Sequence, residues 1–326
     1  KGKKDIYSAR LQPGTEAKLA ADDDLTLDIP AGFAVNAADI NISRYGNPEE
    51  LMKKFPGMRL LSPIYDINLS NGASPRAPVR LNFSYEAGQA GDPRRVAVYR
   101  LNEQQGRWEY IGGTAGSEPG TIAVRLSGFS RYAVLENSNL RLLEDIGITR
   151  WSRDPIYSLV HSNIVEGVKL GEKYYFKPDT YITRAEFLKM LSAGLGTRND
   201  EADKALLPFA DKKDIPDWAL EHVKAAFANG WVNGRLAGDK RLFGANEQIT
   251  REEACAILGR MLGDSIRPRG VHFTDRDKVA KYAINYLDIL ADMGVLSGYG
   301  DDTFRPKSFI TREEAAAMTD RYLKSK

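Results

Sequence analysis

One short string occurs three times in this chain, as Ile182-Thr183-Arg184-Ala185-Glu186, Ile249-Thr250-Arg251-Glu252-Glu253 and Ile310-Thr311-Arg312-Glu313-Glu314. A Thr followed three residues later by Glu is the signature of a capping box, in which the hydroxyl and the carboxylate each accept from an otherwise orphaned amide at a helix start. That accounts for the Thr and the Glu, but not for the Arg between them. At the first helical position the helix dipole favours an acid, so a repeated Arg there is mildly unfavourable and suggests a task. A guanidinium fork beside free helix amides can receive a carboxylate or a phosphate bidentately. The alternative is structural, with each Arg paired to an Asp or Glu of a neighbouring repeat. If Arg251 and Arg312 are exposed receivers, replacing either by Ala weakens ligand binding and leaves the thermal midpoint nearly unchanged.

The elements that must position these strings repeat in the same register. Trp151, Trp218 and Tyr282 each open a helical stretch that closes 12 residues later at Asn163, Gly230 and Gly294, types suited to the left-handed turn after a helix. Four residues on lie Gly167, Gly234 and Gly298, followed by Phe176, Phe243 and Phe304, each seven residues before a motif Thr. The Thr to Thr distances are 67 and 61 residues, and half of the difference arises because the third copy crosses from Gly298 to Thr311 in 13 residues rather than 16. The first helices carry an apolar stripe through Ile156, Val223 and Leu287, and Leu159, Ala226 and Leu290. The second carry Met190, Ile257 and Met318, with Leu188, Cys255 and Ala316 at another inward position. Cys255 reads as an inert core thiol. One such repeat is too small to bury both faces alone, whereas three can share a core.

Up to about residue 136 the period is different. Apolar and polar residues alternate in short runs at Leu25 to Ile29, Ile64 to Leu69, Val79 to Tyr85, Val96 to Leu101, Trp108 to Ile111, Ile122 to Leu126 and Tyr132 to Leu135. About seven short strands of this kind predict an antiparallel β-sandwich. Asn102 to Arg107 reads as a hairpin turn, with Val96, Val98 and Tyr110 inward and Trp108 as a sandwich-core or edge aromatic. The polar stretch Glu136 to Asn139 is the candidate linker. The expected division is a β module over 1–136, a linker over 137–141, and repeats over 142–196, 197–263 and 264–326.

Composition narrows the function. The 326 residues hold 46 Lys+Arg against 44 Asp+Glu, with one Cys and three His. Residues 1–141 carry 18 basic and 16 acidic side chains and the remainder 28 of each, so neither half has the basic footprint of a nucleic-acid binder. A lone Cys excludes an internal disulfide and multi-Cys zinc sites. No run reaches the roughly 18 apolar residues of a membrane helix, and the opening KGKKDIYSAR lacks an apolar signal core. A start at Lys1 without Met reads as a mature product or a piece of a longer protein.

The second half resembles three tandem S-layer homology repeats over residues 142 to 324. The resemblance rests on the Thr-Arg-x-Glu helix starts, the aromatic-led first helices ending in Gly, and the loop Gly298-Tyr299-Gly300-Asp301-Asp302-Thr303-Phe304-Arg305-Pro306. It implies a pseudo-threefold helical trimer of repeats that anchors extracellular surface proteins noncovalently to the bacterial cell wall, without catalysis and without a cofactor or metal. The implied partner is a secondary wall polysaccharide bearing pyruvate ketals, whose carboxylate is the anion. Arg184, Arg251 and Arg312 would then line grooves between repeats, and Trp151, Trp218 and Tyr282 would offer faces for a sugar ring or pack in the core. Asp211 and Asp275 match the family's acidic position and would bind sugar hydroxyls or cap, while Gly298 belongs to the ligand loop. The first repeat departs at Leu142 and Glu144, and the first two replace the Gly-rich loop by Val168 to Tyr175 and Arg235 to Leu242, so one or two strong sites are expected rather than three equal ones.

The first half is similar to the β-sandwich of zonula occludens proteins and netrin receptors, through Leu25-Thr26-Leu27-Asp28-Ile29-Pro30-Ala31-Gly32, Ser62-Pro63-Ile64-Tyr65 and Pro78-Val79-Arg80-Leu81. Some relatives cleave themselves at His-Phe-Ser, but here the stretch is Gly128-Phe129-Ser130, which lacks the base. The expected role is a spacer or docking module. Two other anchoring schemes compete: a structural surface-layer assembly module with protein neighbours, and a peptidoglycan-binding anchor. An enzyme is the rival class. His161, His222 and His272 fall at different repeat offsets, and none joins a metal or nucleophile pattern. Asp22-Asp23-Asp24 reads as a solvated loop, with Ca²⁺ binding the lesser alternative because the EF-hand pattern is lacking.

Overall fold

A computed structural model describes residues 6–34, 36–70, 76–116, 118–196, 205–262 and 273–325. It divides into two compact units, the first comprising residues 1–161 and 172–174 and the second 162–171 and 175–326.

Among its described residues the first unit is built on the strands β1 (Ile6–Leu11), β2 (Ala17–Ala21), β3 (Leu25–Ile29), β4 (Ala38–Arg44), β5 (Met58–Leu60), β6 (Tyr65–Leu69), β7 (Val79–Ser84), β8 (Val96–Asn102), β9 (Arg107–Gly112), β10 (Thr114–Ala115), β11 (Thr121–Leu126) and β12 (Arg131–Asn137). One antiparallel sheet runs β1-β4-β6-β12-β8-β9 with β5 also on β12, and the other runs β10-β11-β7-β3-β2. Alternation supplies the inward faces, with Leu25, Leu27, Ile40, Ile42, Leu81, Phe83, Val98 and Val134 meeting in one core. All seven expected runs lie on strands. Ala38, Ile40 and Ile42 alternate as cleanly in β4, whereas β1 and β2 are half exposed and carry a weaker signal. A short helix, α1 (Pro48–Met52), lies between β4 and β5.

The hairpin at 102–107 forms with Leu101 opposite Trp108. Trp108 and Tyr110 are buried, but on the outer face of their sheet rather than in the sandwich interior. The helix α2 (Arg153–His161) covers that face. Arg153 donates to the Tyr110 hydroxyl at 2.8 Å and to the Arg94 carbonyl at 2.7 Å, the Gly113 amide donates to Asp154 at 2.8 Å, and His161 Nε2 lies 2.8 Å from the Trp108 carbonyl. Strand β8 is therefore buried on both faces.

The stretch expected to be a linker is held fast. Glu136 and Asn137 belong to β12 and are buried, Glu136 accepts from the Gly91 and Asp92 amides, and the Asn139 side chain donates to the Pro56 carbonyl. The compact units part at 161, not at 137–141, because α2 buries its apolar face against β9.

The second unit contains α3 (Arg184–Leu195), α4 (Asp217–Ala228), α5 (Arg251–Arg260), α6 (Ile284–Asp292) and α7 (Arg312–Lys324). Short strands β13 (Val168–Leu170), β15 (Arg235–Ala237) and β16 (Lys240–Leu242) occupy its loops, β15 pairs with β16 as a hairpin, and β14 (Lys173–Tyr175) has its first two residues in the first unit. Helix α3 packs on α4 and α5 on α6. Val223, Leu287, Leu290, Ile257, Cys255 and Ala316 are all buried, as their offsets require. Asn163, Gly230 and Gly294 have φ of 56°, 71° and 70°, the left-handed turn that ends each first helix. Among the described residues no helix is long and apolar enough to cross a membrane.

Candidate functional site

All three capping boxes form. Thr183, Thr250 and Thr311 accept from the amides of Glu186, Glu253 and Glu314, whose carboxylates accept in return from the Thr amides. The strings then meet one another. The Ile249 amide donates to the Ile182 carbonyl, Ile310 to Ile249 and Ile182 to Ile310, closing a cycle at 3.1–3.2 Å.

The next two amides of each helix are also taken. Arg184, Arg251 and Arg312 donate their amides to the carbonyls of Glu247, Ser308 and Thr180, and the residues after them to Ala245, Pro306 and Pro178. The free helix amides expected around an anion are thus consumed by the neighbouring repeat, a partner no local pattern reveals. The side chains follow the same rule. Arg184 pairs with Glu253, Arg251 with Glu314 at 3.1 Å and Arg312 with Glu186 at 3.3 Å. Each motif Arg thereby reads the capping Glu of the next string, and the last returns to the first. The structural alternative holds for all three.

Their remaining surroundings differ. The Arg251 side chain is only 4% exposed, so it is not the exposed first-turn residue expected. Its Nε donates to the Phe304 carbonyl at 2.7 Å and its Nη2 to the Ser297 carbonyl at 2.9 Å. Arg312 Nε donates to the Phe176 carbonyl at 2.9 Å. Arg184 Nε is buried without a hydrogen-bond partner. Other atoms of Arg184 line a cavity of about 240 Å³ together with residues that include Asn233, Arg235, Glu253, Arg260 and Tyr282. Arg235 pairs with Glu247, and Arg260 donates to the Trp231 carbonyl at 3.1 Å. Three guanidiniums and one carboxylate therefore line one concave space, which favours an anion. Tyr282 is 48% exposed and donates its hydroxyl to Glu252 at 3.1 Å, so the ring is fixed with a face toward solvent. Burial first, then the Glu252 carboxylate, pushes this phenol well above its ordinary range.

The other expected site residues divide. Trp218 is 45% exposed, with the Lys189 ammonium 5.4 Å from its ring centroid, and Trp151, in the first unit, is 56% exposed. Neither is core packing. Asp211 and Asp275 use both carboxylate oxygens on loop amides: Asp211 on Phe243 and Gly244 at 2.8 Å, and Asp275 on Phe304 at 2.7 Å and Arg305 at 2.8 Å. They clamp the loop and cap no helix. Gly298 is a packing glycine, since a Cβ there would lie 2.6 Å from Phe273 Cε1 and 2.9 Å from the Thr303 carbonyl.

Sequence reasoning missed Arg235, Asn233 and Arg260. The signal for Arg260 is its offset, seven residues after the capping Glu, which Arg321 repeats and Ala193 does not.

Features of the rival enzyme class have internal partners. His222 Nδ1 lies 2.7 Å from Ser192 Oγ, but Ser192 is 5% exposed and this contact joins α3 to α4. His272 lies outside the described residues. Asp22 and Asp24 both pair with Arg44 at 2.7 and 2.6 Å. Ser130 donates its hydroxyl to the Leu101 carbonyl at 3.3 Å, the contact of a strand-edge residue. Among the described residues no group of three His, Cys, Asp or Glu is placed to hold a metal.

The S-layer homology domain matches this chain at residues 145–188, 208–255 and 272–316. An amylopullulanase of Thermoanaerobacterium thermosulfurigenes is 30% identical over 288 residues, 87% of this chain and 14% of that protein. A cellulosome-anchoring protein of Acetivibrio thermocellus is 31% identical over 170 residues, covering 50% of this chain and 36% of that protein. A surface-layer 125 kDa protein of Lysinibacillus sphaericus is 30% identical over 119 residues, 36% and 10% of the two chains. The chain spans about a third of the cellulosome-anchoring protein and less than a sixth of the other two relatives.

Proposed function

We propose, from the premise that this chain carries three S-layer homology domains, that it is a non-catalytic anchor binding a carboxylate-bearing wall polysaccharide in a groove between repeats. The protein is cell-surface and wall-associated, as its relatives among cellulosome-anchoring and surface-layer proteins are. The observation that carries the proposal is the cavity that joins Arg184 of the first repeat, Arg235 and Arg260 of the second, and Tyr282 of the third. Guanidinium donors suit the carboxylate of a pyruvate ketal, and a half-exposed aromatic ring beside them suits a sugar face. A cavity of about 240 Å³ falls near the lower end of small-ligand sites, ~300–1,000 Å³, and suits one sugar residue.

The cycle of Ile hydrogen bonds and Arg–Glu pairs supports a pseudo-threefold arrangement of repeats 142–196, 197–263 and 264–326. The N-terminal sheets, similar to the zonula occludens and netrin-receptor type, serve as a spacer. Enzyme names among the relatives belong to long proteins of which the match covers 14% and 18%, so no activity is carried to this chain.

Cosedimentation of the whole chain with purified Gram-positive sacculi tests the proposal, before and after removal of the pyruvate ketals. Binding that vanishes with pyruvate supports it. Binding that persists assigns the anchor to peptidoglycan or an uncharged sugar, and no binding assigns the chain to protein assembly.

A further inference from the structure

The residue after the loop glycine differs in each repeat: Val168 follows Gly167, Arg235 follows Gly234 and Tyr299 follows Gly298. In the third repeat the Tyr299 ring lies on the Arg251 guanidinium at 4.7 Å, and Arg305 covers the ring at 4.0 Å. The Tyr299 hydroxyl donates to Glu314 Oε1 at 2.6 Å, the same oxygen that pairs with Arg251. Arg251 meanwhile spends Nε on Phe304 and Nη2 on Ser297. Tyrosine thus covers that groove with an aromatic lid, and the Arg251 side chain beneath it is 4% exposed.

At the equivalent place in the second repeat, Arg235 turns to Glu247 instead. The Arg184 and Glu253 pair is left lining a cavity with Arg260, which among the described residues is held only by the Trp231 carbonyl. The groove of Arg312 has Val168 and Ala193 at the two deciding offsets, neither of them a cation, and Arg312 Nε is taken by Phe176.

We infer that the residue after the loop glycine selects the working groove, so that this chain has one carboxylate site, in which the guanidiniums of Arg260 and Arg184 that line the cavity are the receivers. Arg235 keeps that groove open, and Tyr299 closes its neighbour. The inference rests on the proposal above that the anion is a sugar carboxylate. A single carboxylate between two guanidiniums makes charge-assisted bonds from both sides, whereas the motif ion pairs alone are already satisfied.

Isothermal titration of the whole chain with a methyl hexopyranoside bearing a 4,6-pyruvate ketal, and with its uncharged methyl ester, tests this. The expected result is one site per chain for the acid and at least tenfold weaker binding of the ester. Arg260→Ala and Arg235→Tyr each weaken binding at least tenfold, with a thermal midpoint that shows the variant folded. Tyr299→Arg raises the stoichiometry from one toward two, and Tyr299→Ala supplies the same readout without a new charge. Two or three equal sites in the natural sequence, or unchanged binding in Arg260→Ala and Arg235→Tyr, overturn the selection while leaving the anchor proposal standing. No binding of the acid, with walls still bound, overturns both the selection and the carboxylate.

Discussion

Replacing Arg251 by Ala removes a side chain whose surroundings fix the expected cost. The guanidinium is 4% exposed and serves the Glu314 carboxylate and the carbonyls of Phe304 and Ser297. Deleting one partner of a buried ion pair costs about 3–5 kcal/mol, since the other charge stays behind. Glu314 keeps the Tyr299 hydroxyl and the Thr311 amide, so the loss belongs at the lower half of that range. Arg312→Ala leaves one carbonyl and one carboxylate with a more exposed pair, and Arg184→Ala leaves one carboxylate. The expected order of destabilisation is therefore Arg251, then Arg312, then Arg184, at about 3–4, 2 and 1 kcal/mol. In a unit of this size each kcal/mol moves the midpoint by ~2–4 °C, so Arg251→Ala falls by roughly 6–16 °C. Thermal unfolding with hydrogen exchange on α5 and α7 amides assigns the change to the second unit. A midpoint for Arg251→Ala within 1 °C of the natural chain, or Arg184→Ala as the most damaging of the three, would refute the reasoning.

Asp275→Ala frees the buried Phe304 amide and the Arg305 amide, and is expected to cost about 2–4 kcal/mol while the Asp211 loop keeps its hydrogen-exchange protection. Thr183→Ala opens one capping box and is expected to cost about 1 kcal/mol, read in urea unfolding, with the Thr250 and Thr311 boxes intact. His161 is held below its ordinary value of 6.5, first by burial and then by Arg107, against opposing pulls from the Trp108 carbonyl and Glu109. Below that value the unfolded chain takes up a proton that the folded chain refuses, so stability of the first unit falls as pH drops from 7 to 5. His161→Gln removes this imidazole's share of the slope, and an unchanged pH profile in that variant would sink the assignment. Burial pushes the Cys255 thiol far up, so it stays unreactive toward a disulfide reagent in native buffer and reacts once the second unit unfolds.

The parts of the structure that depend on neighbours in sequence were legible. Capping boxes, left-handed helix ends and inward helix positions are set within three to twelve residues, and all of them formed where their offsets placed them. The partner of each motif Arg was not legible, because Glu253, Glu314 and Glu186 lie 69, 63 and 126 residues away. The Arg seemed idle at a helix start only because the carboxylate that matches it sits in another repeat. The same limit hid the role of Trp108 and Tyr110. Their alternation marks one buried face, and only α2 arriving from beyond residue 150 shows that this face is the outer one. Arg260 was readable in principle, as a cation recurring at one offset in two repeats of three.

The cycle from Ile182 to Ile249 to Ile310 and back has a bearing on how such a chain can lengthen or shorten. An open stack of repeats grows by adding a unit at either end, at the cost of an exposed terminal face that must be capped. A closed cycle has no terminal face, and each string donates to one neighbour and accepts from the other. A fourth copy inserted by recombination finds every Ile carbonyl and every capping Glu already taken, and a deletion leaves one helix start with two orphaned amides and an unpaired Arg. Copy number is thus set by hydrogen-bond arithmetic, and a gene that gains such repeats is expected to gain them in sets of three.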